Sequence, residues 1–204
     1  MYTYISSKVA CIVIGYLFGM VLMAEIVARV GTGKSAFSIG SGNPGMANIM
    51  SNVGFAAGFL TLAGDITKCV VAFTLCYSLF PELEANRLFI AYCALGLTLG
   101  HDFPLWHLFK GGKGVTTECC GIIVYEPVWG IVSCVIGMMA VFLTGYLPLG
   151  AVIIPVIFLP YAACCETVEV FAVYGCITVL AFFKHRHGLM RVIKGEEKEH
   201  AKLL

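Results

Sequence analysis

Long apolar segments separated by short polar ones make up most of the chain and predict a bundle of membrane-crossing helices. A helix needs about 20 mostly apolar residues to cross a bilayer, and several segments approach that length. The segments expected to be helical are residues 10–28, 53–80, 88–100, 115–125, 129–144, 150–165 and 170–183. The pattern therefore predicts an all-α integral membrane protein with about seven transmembrane helices, some of them short.

The composition agrees with a membrane protein built as one domain. Of the 204 residues, 59% are hydrophobic and 12% are charged, whereas soluble domains carry about 25% charged residues. Residues 1–204 show no internal repeat, so a single transmembrane domain is expected. The formal net charge of +1, without a basic stripe, argues against nucleic acid as a partner.

Two short apolar segments, 88–100 and 115–125, flank a stretch rich in glycine and lysine. This stretch, residues 109–114, reads Phe-Lys-Gly-Gly-Lys-Gly. Glycine lets backbone N–H groups approach an anion closely, and lysine adds positive charge. Polar backbone at membrane depth is tolerated where it lines a cavity. The sequence therefore predicts a phosphate cradle whose members are Lys110, Gly111, Gly112, Lys113 and Gly114.

A second loop, residues 40–45, reads Gly-Ser-Gly-Asn-Pro-Gly, which rules out a helix interior. One interpretation is a simple turn between two spans. The other is a ligand loop, in which the Ser41 hydroxyl and the Asn43 amide donate hydrogen bonds. Asn48 would then lie near the first turn of the next helix, where an anion is favoured. The residues alone leave both interpretations open.

Two charged residues, Asp65 and Lys68, lie inside the apolar segment 53–80, three residues apart on one helical face. Each charge alone would be costly in a membrane, whereas a pair is tolerable. The pair could brace the structure or face a substrate. We favour the structural interpretation.

The lysines and arginines predict an orientation. With seven spans and the amino terminus outside, only Lys8 and Arg87 lie on the outer side. Both polar loops and the basic tail, which includes Lys198 and Lys202, then lie inside. Because positive charge favours the cytoplasmic side, the carboxyl terminus is expected in the cytoplasm. The two loops and the tail would then surround a cytoplasm-facing site.

Three stretches resemble the bacterial acyl-phosphate:glycerol-3-phosphate acyltransferases, the multi-span membrane enzymes that begin phospholipid synthesis. The matching stretches are residues 40–45 with Asn48, residues 100–117 and residues 185–197, in the family's order and spacing. The chain is identified as a divergent member of this family.

The resemblance implies transfer of an acyl chain from acyl phosphate to the 1-hydroxyl of sn-glycerol 3-phosphate. The products would be lysophosphatidic acid and phosphate. It further implies a bacterial cell membrane as the location and an acyl-phosphate-producing enzyme as a candidate partner. Acyl phosphate is already activated, so no covalent serine or cysteine intermediate is required. The histidines lack metal-ligand spacing, and we expect neither a metal nor a cofactor.

Such a site must hold two phosphates and stabilise a developing oxyanion. Under the resemblance, Ser41, Lys113 and His185 are the expected catalytic residues, and His185 positions or deprotonates the hydroxyl unless phosphate itself takes the proton. The backbone N–H groups of the cradle glycines are expected to donate to phosphate. The expected phosphate-binding residues are Gly40, Gly42, Asn43, Asn48, Lys110, Gly111, Gly112, Gly114 and Arg186. The expected structural supports are Asp65, Lys68 and Glu197.

The sequence departs from the family's pattern at a few positions. The family's arginine three residues after Asn48 is Ser51 here, and the asparagine of its tail motif is Gly188. Ser35 and Phe37 stand where the family has an aspartate and an arginine. The missing side chains would be expected to handle phosphate or substrate hydroxyls.

Two alternative functions therefore remain open at this stage. The departures from the family's pattern suggest the first alternative, a divergent relative that binds phosphorylated lipid precursors without turning them over. The intramembrane pair of Asp65 and Lys68, together with the short broken helices, motivates a small-anion transporter.

Overall fold

Helices connected by short turns form the computed structural model, which describes residues 2–84 and 87–197. Lys198 and Lys202, used above for the orientation, lie outside the described residues. Within those described ranges there are nine α-helices: α1 (Tyr2–Gly19), α2 (Met23–Thr32), α3 (Met46–Asn52), α4 (Phe55–Leu79), α5 (Leu88–Asp102), α6 (Val115–Tyr125), α7 (Pro127–Thr144), α8 (Leu147–Cys165) and α9 (Val168–Ile193).

The helices confirm an all-α, multi-pass membrane protein. In the described part of the chain, 6 segments are long and apolar enough to cross a membrane, with α1 and α2 counted as one segment. The seventh expected span is α6, whose 11 residues extend about 16 Å at 1.5 Å per residue, well short of a bilayer core of about 30 Å. The expectation of about seven helices thus corresponds to six long segments and one short one.

The first and the last spans differ most from the sequence-based expectation. The first span, expected as one helix over 10–28, is broken between Gly19 and Met23. The last span, expected to end at residue 183, continues to Ile193, so the stretch around His185 is helical and not a polar tail. The helix continues past residue 183 as an amphipathic helix. The expected end at 183 was wrong because the polar residues after it end the apolar run without ending the helix.

The helices fall into two compact units, residues 1–117 and residues 118–204. Each unit is described by itself below. The expectation of a single domain stays a prediction.

In the first unit, α1 and α5 pack backbone to backbone through glycine. Gly15 and Gly19 of α1 have the same four-residue spacing as Gly96 and Gly100 of α5. A Cβ atom on any of these four glycines would overlap main-chain atoms of the facing helix. Small residues at this spacing are the usual means by which membrane helices approach closely. The packing fixes the carboxyl end of α5, from which the glycine–lysine stretch departs.

The break between α1 and α2 is stabilised by the charge pair of α4. The Lys68 ammonium donates to the carbonyl of Val21 at 2.8 Å and to that of Gly19 at 3.3 Å. Its partner Asp65, 2.7 Å away, accepts from the backbone N–H of Met23. A cation therefore meets the carbonyl end of α1, and an anion meets the amide end of α2, which matches both helix dipoles. Backbone groups freed by the break are thereby satisfied inside an apolar environment.

The second unit contains an aromatic cluster where α6, α8 and α9 meet. Tyr125, Phe158 and Tyr174 pack edge to face. Glu166, between α8 and α9, accepts hydrogen bonds from Tyr125 and Tyr161, each at 2.7 Å. These bonds satisfy polar groups that would otherwise be costly among apolar side chains.

The glycine packing of α1 against α5 predicts that Gly96→Ala destabilises the protein. Its new Cβ would overlap the Ile12 carbonyl, and we expect the free energy of unfolding to fall by about 1–3 kcal/mol. Unfolding of the purified protein in detergent measures this. The matched control is Gly175→Ala, where a Cβ meets nothing within 4 Å, so stability should stay or rise by up to about 1 kcal/mol. Equal effects of the two substitutions would contradict the close α1–α5 packing.

Candidate phosphate-binding site

The glycine–lysine stretch forms a loop that folds back onto the carboxyl end of α5. The N–H of Gly112 donates to the carbonyl of His101 at 2.9 Å. Gly114 has a φ of 71°, in the left-handed region that glycine favours. Its carbonyl accepts from the Thr117 hydroxyl at 2.7 Å, and Thr117 contacts Thr98 of α5 at 3.2 Å. The loop is thus held at both ends before α6 begins.

Gly112 makes close contacts with His101 through its backbone and at its Cα. Its N–H is already used by His101, so this geometry does not favour a bond from that N–H to phosphate. A Cβ at Gly112 would overlap the imidazole ring of His101, which occupies the place of a side chain. Glycine is needed here for close approach, and the phosphate-binding roles of Gly111, Gly112 and Gly114 stay predictions.

The two lysines of the loop differ in exposure. Lys110 is exposed, whereas Lys113 is half-buried, between Gly112 and Gly114, which are both buried. Charge close to a buried, glycine-lined backbone is screened less by water than charge at the surface. Lys113 is therefore the stronger candidate for holding a phosphate in place.

The loop at residues 40–45 depends on glycine and on one buried amide. Gly40 and Gly42 have φ values of 52° and 71°. The Oδ1 atom of Asn48 accepts from the N–H of Ser41 at 2.9 Å. Its Nδ2 atom donates to the carbonyls of Ile39 at 2.9 Å and Ala36 at 3.4 Å. Both amide hydrogens of Asn48 are therefore used within the protein, and the geometry favours a role in shaping the loop over direct contact with phosphate.

The Ser41 hydroxyl and the Asn43 side chain lie at the tip of this loop. Ser41 is exposed and Asn43 is half-buried. The N–H of Asn43 lies 3.4 Å from the Ser41 hydroxyl oxygen. Their expected roles as donors stay predictions.

Glu25 anchors the turn that leads into this loop, a role that sequence reasoning missed. Its carboxylate accepts from the Ser35 hydroxyl at 2.9 Å and from the N–H of Ala36 at 2.7 Å. It also pairs with Arg29 at 2.6 Å. The available signal was an acidic residue near the end of an apolar segment, which usually turns inward.

The two loops of the first unit approach one another through an aromatic contact. The ring centroids of Phe37, before the first loop, and His107, before the second, are 5.1 Å apart. The Trp106 indole also donates to the carbonyl of Met20 at 3.1 Å, which ties the second loop to the α1–α2 break. The segments that lead into the two loops are thus in contact, and the second of them is also joined to the break.

The remaining expected site residues belong to the second unit. His185 is 4% exposed and lies on the buried face of α9. Arg186 is exposed, and its guanidinium lies 4.0 Å from the centroid of the Phe183 ring. Glu197 pairs with Arg191 at 2.5 Å, and its supporting role stays a prediction. The convergence of Ser41, Lys113 and His185 stays a prediction.

The departures from the family's pattern occupy different environments. Ser51 is exposed on α3, so a longer side chain fits there. Gly188 is buried, and a Cβ would lie 2.6 Å from Cγ of Pro148. An asparagine at 188 would therefore require Pro148 to move.

Among the residues that the structure describes, no group of three histidine, cysteine, aspartate or glutamate side chains could hold a metal ion.

Fold and loops together define a multi-pass membrane protein with a glycine-lined, lysine-bearing loop suited to an anion. The sequence profile of the family described as "Glycerol-3-phosphate acyltransferase" matches residues 9–195. The chain belongs to the glycerol-3-phosphate acyltransferase family.

Individual relatives agree with this assignment. The chain is 34% identical over 202 residues to the glycerol-3-phosphate acyltransferase of Bordetella pertussis, covering 96% of this chain and 93% of the relative. It is 38% identical over 130 residues to glycerol-3-phosphate acyltransferase 1 of Lactobacillus johnsonii, covering 64% of this chain and 62% of the relative. The crystal structure of PlsY, an integral membrane glycerol 3-phosphate acyltransferase, in its glycerol 3-phosphate form, superposes with a TM-score of 0.83, 25% identity and 95% coverage of both chains.

The hydrogen bonds of Asn48 predict that Asn48→Asp loosens the loop at 40–45. Carboxylate oxygens would face the Ala36 and Ile39 carbonyls without hydrogens to donate, a loss on the order of 1–3 kcal/mol. We expect the backbone N–H of Ser41 to exchange with deuterium roughly tenfold faster or more. Hydrogen-exchange mass spectrometry measures this.

The control for this test is Asn52→Ala, one helical turn further along α3. Asn52 is exposed, and its Nδ2 atom donates to the backbone carbonyl of Asn48 at 2.9 Å and to Oδ1 of Asn48 at 3.2 Å. It should change exchange at Ser41 much less. Equal protection of Ser41 in Asn48→Asp and the unsubstituted protein would contradict the shaping role of Asn48.

Proposed function

We propose that this protein is an acyltransferase that moves an acyl chain from acyl phosphate to the 1-hydroxyl of sn-glycerol 3-phosphate. The products are lysophosphatidic acid and inorganic phosphate. The observation that carries the proposal is the shaped loop of residues 110–114 on the end of α5, in a chain that matches the family over residues 9–195. The solved PlsY structures include a glycerol 3-phosphate form and a lysophosphatidic acid form, which correspond to an acceptor and a product of this reaction.

The chemistry requires positioning and charge stabilisation more than a covalent intermediate. The substrate hydroxyl attacks the acyl carbonyl carbon, and an oxyanion develops. The bond between that carbon and the phosphate oxygen then breaks, and phosphate leaves with its electrons. Lys113, with Lys110 beside it, neutralises phosphate charge, and backbone N–H groups of the loop add fixed donors. Ser41 and Asn43 are the proposed second set of donors.

Deprotonation of the hydroxyl is assigned to His185 or to the phosphate of the substrate. His185 lies on the buried face of α9, next in sequence to the exposed Arg186. A neutral imidazole has one acceptor nitrogen, which suits a general base. Arg186 is the proposed phosphate ligand of this segment, since a guanidinium matches phosphate geometry.

The proposal extends to surroundings and partners. We place the protein in the bacterial inner membrane, with its amino terminus outside and its carboxyl terminus in the cytoplasm, on the charge asymmetry of its loops. An enzyme that produces acyl phosphate is the proposed supplier of the donor. No metal or cofactor is proposed.

The test is formation of lysophosphatidic acid from palmitoyl phosphate and glycerol 3-phosphate by the purified full chain in detergent. We expect product from the unsubstituted protein and a loss of about 10²–10³-fold in kcat for Lys113→Ala, the usual effect of removing one charge-stabilising donor. The control is Lys8→Ala, whose ammonium lies 4.2 Å from the Tyr4 ring at the start of α1, and which should leave the rate unchanged. Undiminished activity of Lys113→Ala would contradict the assignment of the site.

A second candidate function is binding of phosphorylated lipid precursors without turnover. The observations that favour it are Ser51 and the packed Gly188, which lack the family's cationic and amide side chains. Transport of small anions is less well supported, because Lys68 is surrounded by Asp65, two carbonyls and His101, within 3.3 Å.

Ser51→Arg separates the first two candidates. Position 51 is exposed, so the arginine can extend without displacing the core. For an active enzyme we expect the KM for glycerol 3-phosphate to fall several-fold, because a guanidinium adds charge-assisted hydrogen bonds to phosphate, while kcat changes little. Product formation only after Ser51→Arg, with glycerol 3-phosphate binding but no turnover by the unsubstituted protein, would support the non-catalytic candidate.

A further inference from the structure

The Lys68 side chain reaches beyond the helix break to a group that contacts the glycine–lysine loop. Its Nζ atom lies 3.1 Å from Nδ1 of His101, and both residues are buried. The other neighbours of Nζ are the carbonyls of Val21 and Gly19 and the Asp65 carboxylate. The opposite edge of the His101 ring, at Nε2, lies where a Cβ of Gly112 would be. One imidazole therefore stands between the buried ammonium and the loop.

The contacts of Lys68 define the direction of the bond to His101. The carbonyl oxygens of Val21 and Gly19 accept hydrogen bonds from Nζ, and the Asp65 carboxylate forms an ion pair with it at 2.7 Å. A buried carboxylate at that distance is matched by the charged ammonium, and two of the three ammonium hydrogens are used by the carbonyls, which leaves the third for His101. An ammonium has no lone pair, so it cannot accept a hydrogen bond. Nδ1 of His101 must therefore be the acceptor, without a hydrogen of its own.

This assignment fixes the tautomer of His101. A neutral imidazole with a bare Nδ1 carries its hydrogen on Nε2. That N–H is directed toward Gly112, in the centre of the loop that bears Lys113. The N–H edge of the ring is its electropositive edge. The loop thus rests on the N–H edge of a buried imidazole.

We propose that Lys68 and His101 act as one positioning pair for the phosphate-binding loop. Lys68 holds the Nε2–H tautomer of His101, and that tautomer holds the loop in its anion-binding shape. The expected effect of this pair on kinetics rests on the proposed function, whereas the expected tautomer of His101 does not. His101 and Lys68 are positioning residues, since they act on phosphate through the loop.

The first test reads the tautomer directly and needs no activity. The full chain is labelled with ¹⁵N-histidine, and the His101 signals are assigned by their loss in His101→Gln. We expect the Nδ1 signal to be of the unprotonated type and the Nε2 signal to be of the protonated type. In Lys68→Met the two forms should mix, because nothing then requires a bare Nδ1. A hydrogen on Nδ1 in the unsubstituted protein, or an unchanged tautomer in Lys68→Met, would overturn the proposal.

The second test separates positioning from general stability. His101→Gln places an N–H donor near the Nε2 position, whereas His101→Asn places its amide near Nδ1 and leaves the loop side empty. We expect both His101→Asn, which removes the ring edge beside Gly112, and Lys68→Met, which removes the partner of Nδ1, to raise the KM for acyl phosphate or glycerol 3-phosphate about tenfold, the scale of one lost hydrogen bond. His101→Gln should recover most of this loss, and kcat should change less than KM in each variant.

The matched control is Thr61→Val, in the same helix as Lys68. Thr61 is buried and bonds the Ala57 carbonyl of its own helix at 2.9 Å, so its kinetics should be unchanged. If Lys68→Met does not fold, two measurements still test the proposal. They are the tautomer of His101 in the unsubstituted protein and the difference in kinetics between His101→Gln and His101→Asn. Equal kinetics for those two histidine variants would overturn the proposal. Failure of the unsubstituted protein to form lysophosphatidic acid would overturn the proposed function and leave the tautomer test standing.

Discussion

The buried ion pair between Asp65 and Lys68 is the constraint on which the first unit depends. Burying one charge among apolar side chains is costly, and a pair is stable only when its remaining hydrogen-bonding capacity is also satisfied. Here the carbonyls of Val21 and Gly19 accept from Lys68, whose ammonium also contacts His101, and the N–H of Met23 donates to Asp65. The pair and the break are therefore mutually dependent: the broken helix supplies the partners, and the charges make the break tolerable.

The consequence of this dependence is a chain of contacts that ends at the loop. Glycine packing sets the position of α5 against α1, and the helix break lies beside the carboxyl end of α5. His101 connects the ion pair to Gly112, and Trp106 connects the break to the turn before Lys110. A loop in contact with a rigid surface can hold backbone donors in place before a ligand arrives, which is the condition for electrostatic preorganisation.

The sequence predicted the helical class, most helix positions and both polar loops, because apolar periodicity and glycine-rich stretches are local signals. It could not predict the break after Gly19, since Met20, Val21 and Leu22 contain no breaking residue. That break is stabilised by Lys68, 49 residues from Gly19. A local sequence pattern does not predict a contact between residues so far apart in the chain. Asn48 is expected from the sequence to bind phosphate, but whether its amide turns to a ligand or to its own loop depends on tertiary structure.

The serine at position 51 raises the question of how the first loop keeps positive charge nearby. Glu25 joins Arg29 to the turn at Ser35 and Ala36, so a cation is held beside the segment that leads to Ser41. Arg29 engages Glu25 through Nε, and a guanidinium has five N–H donors, so most of its donors lie outside this contact. The Arg29 side chain is 61% exposed whereas the Glu25 side chain is buried, so Arg29 can offer its remaining donors to an arriving phosphate while it keeps its contact with Glu25. Loss of the cation at 51 therefore need not remove positive charge from this side of the site.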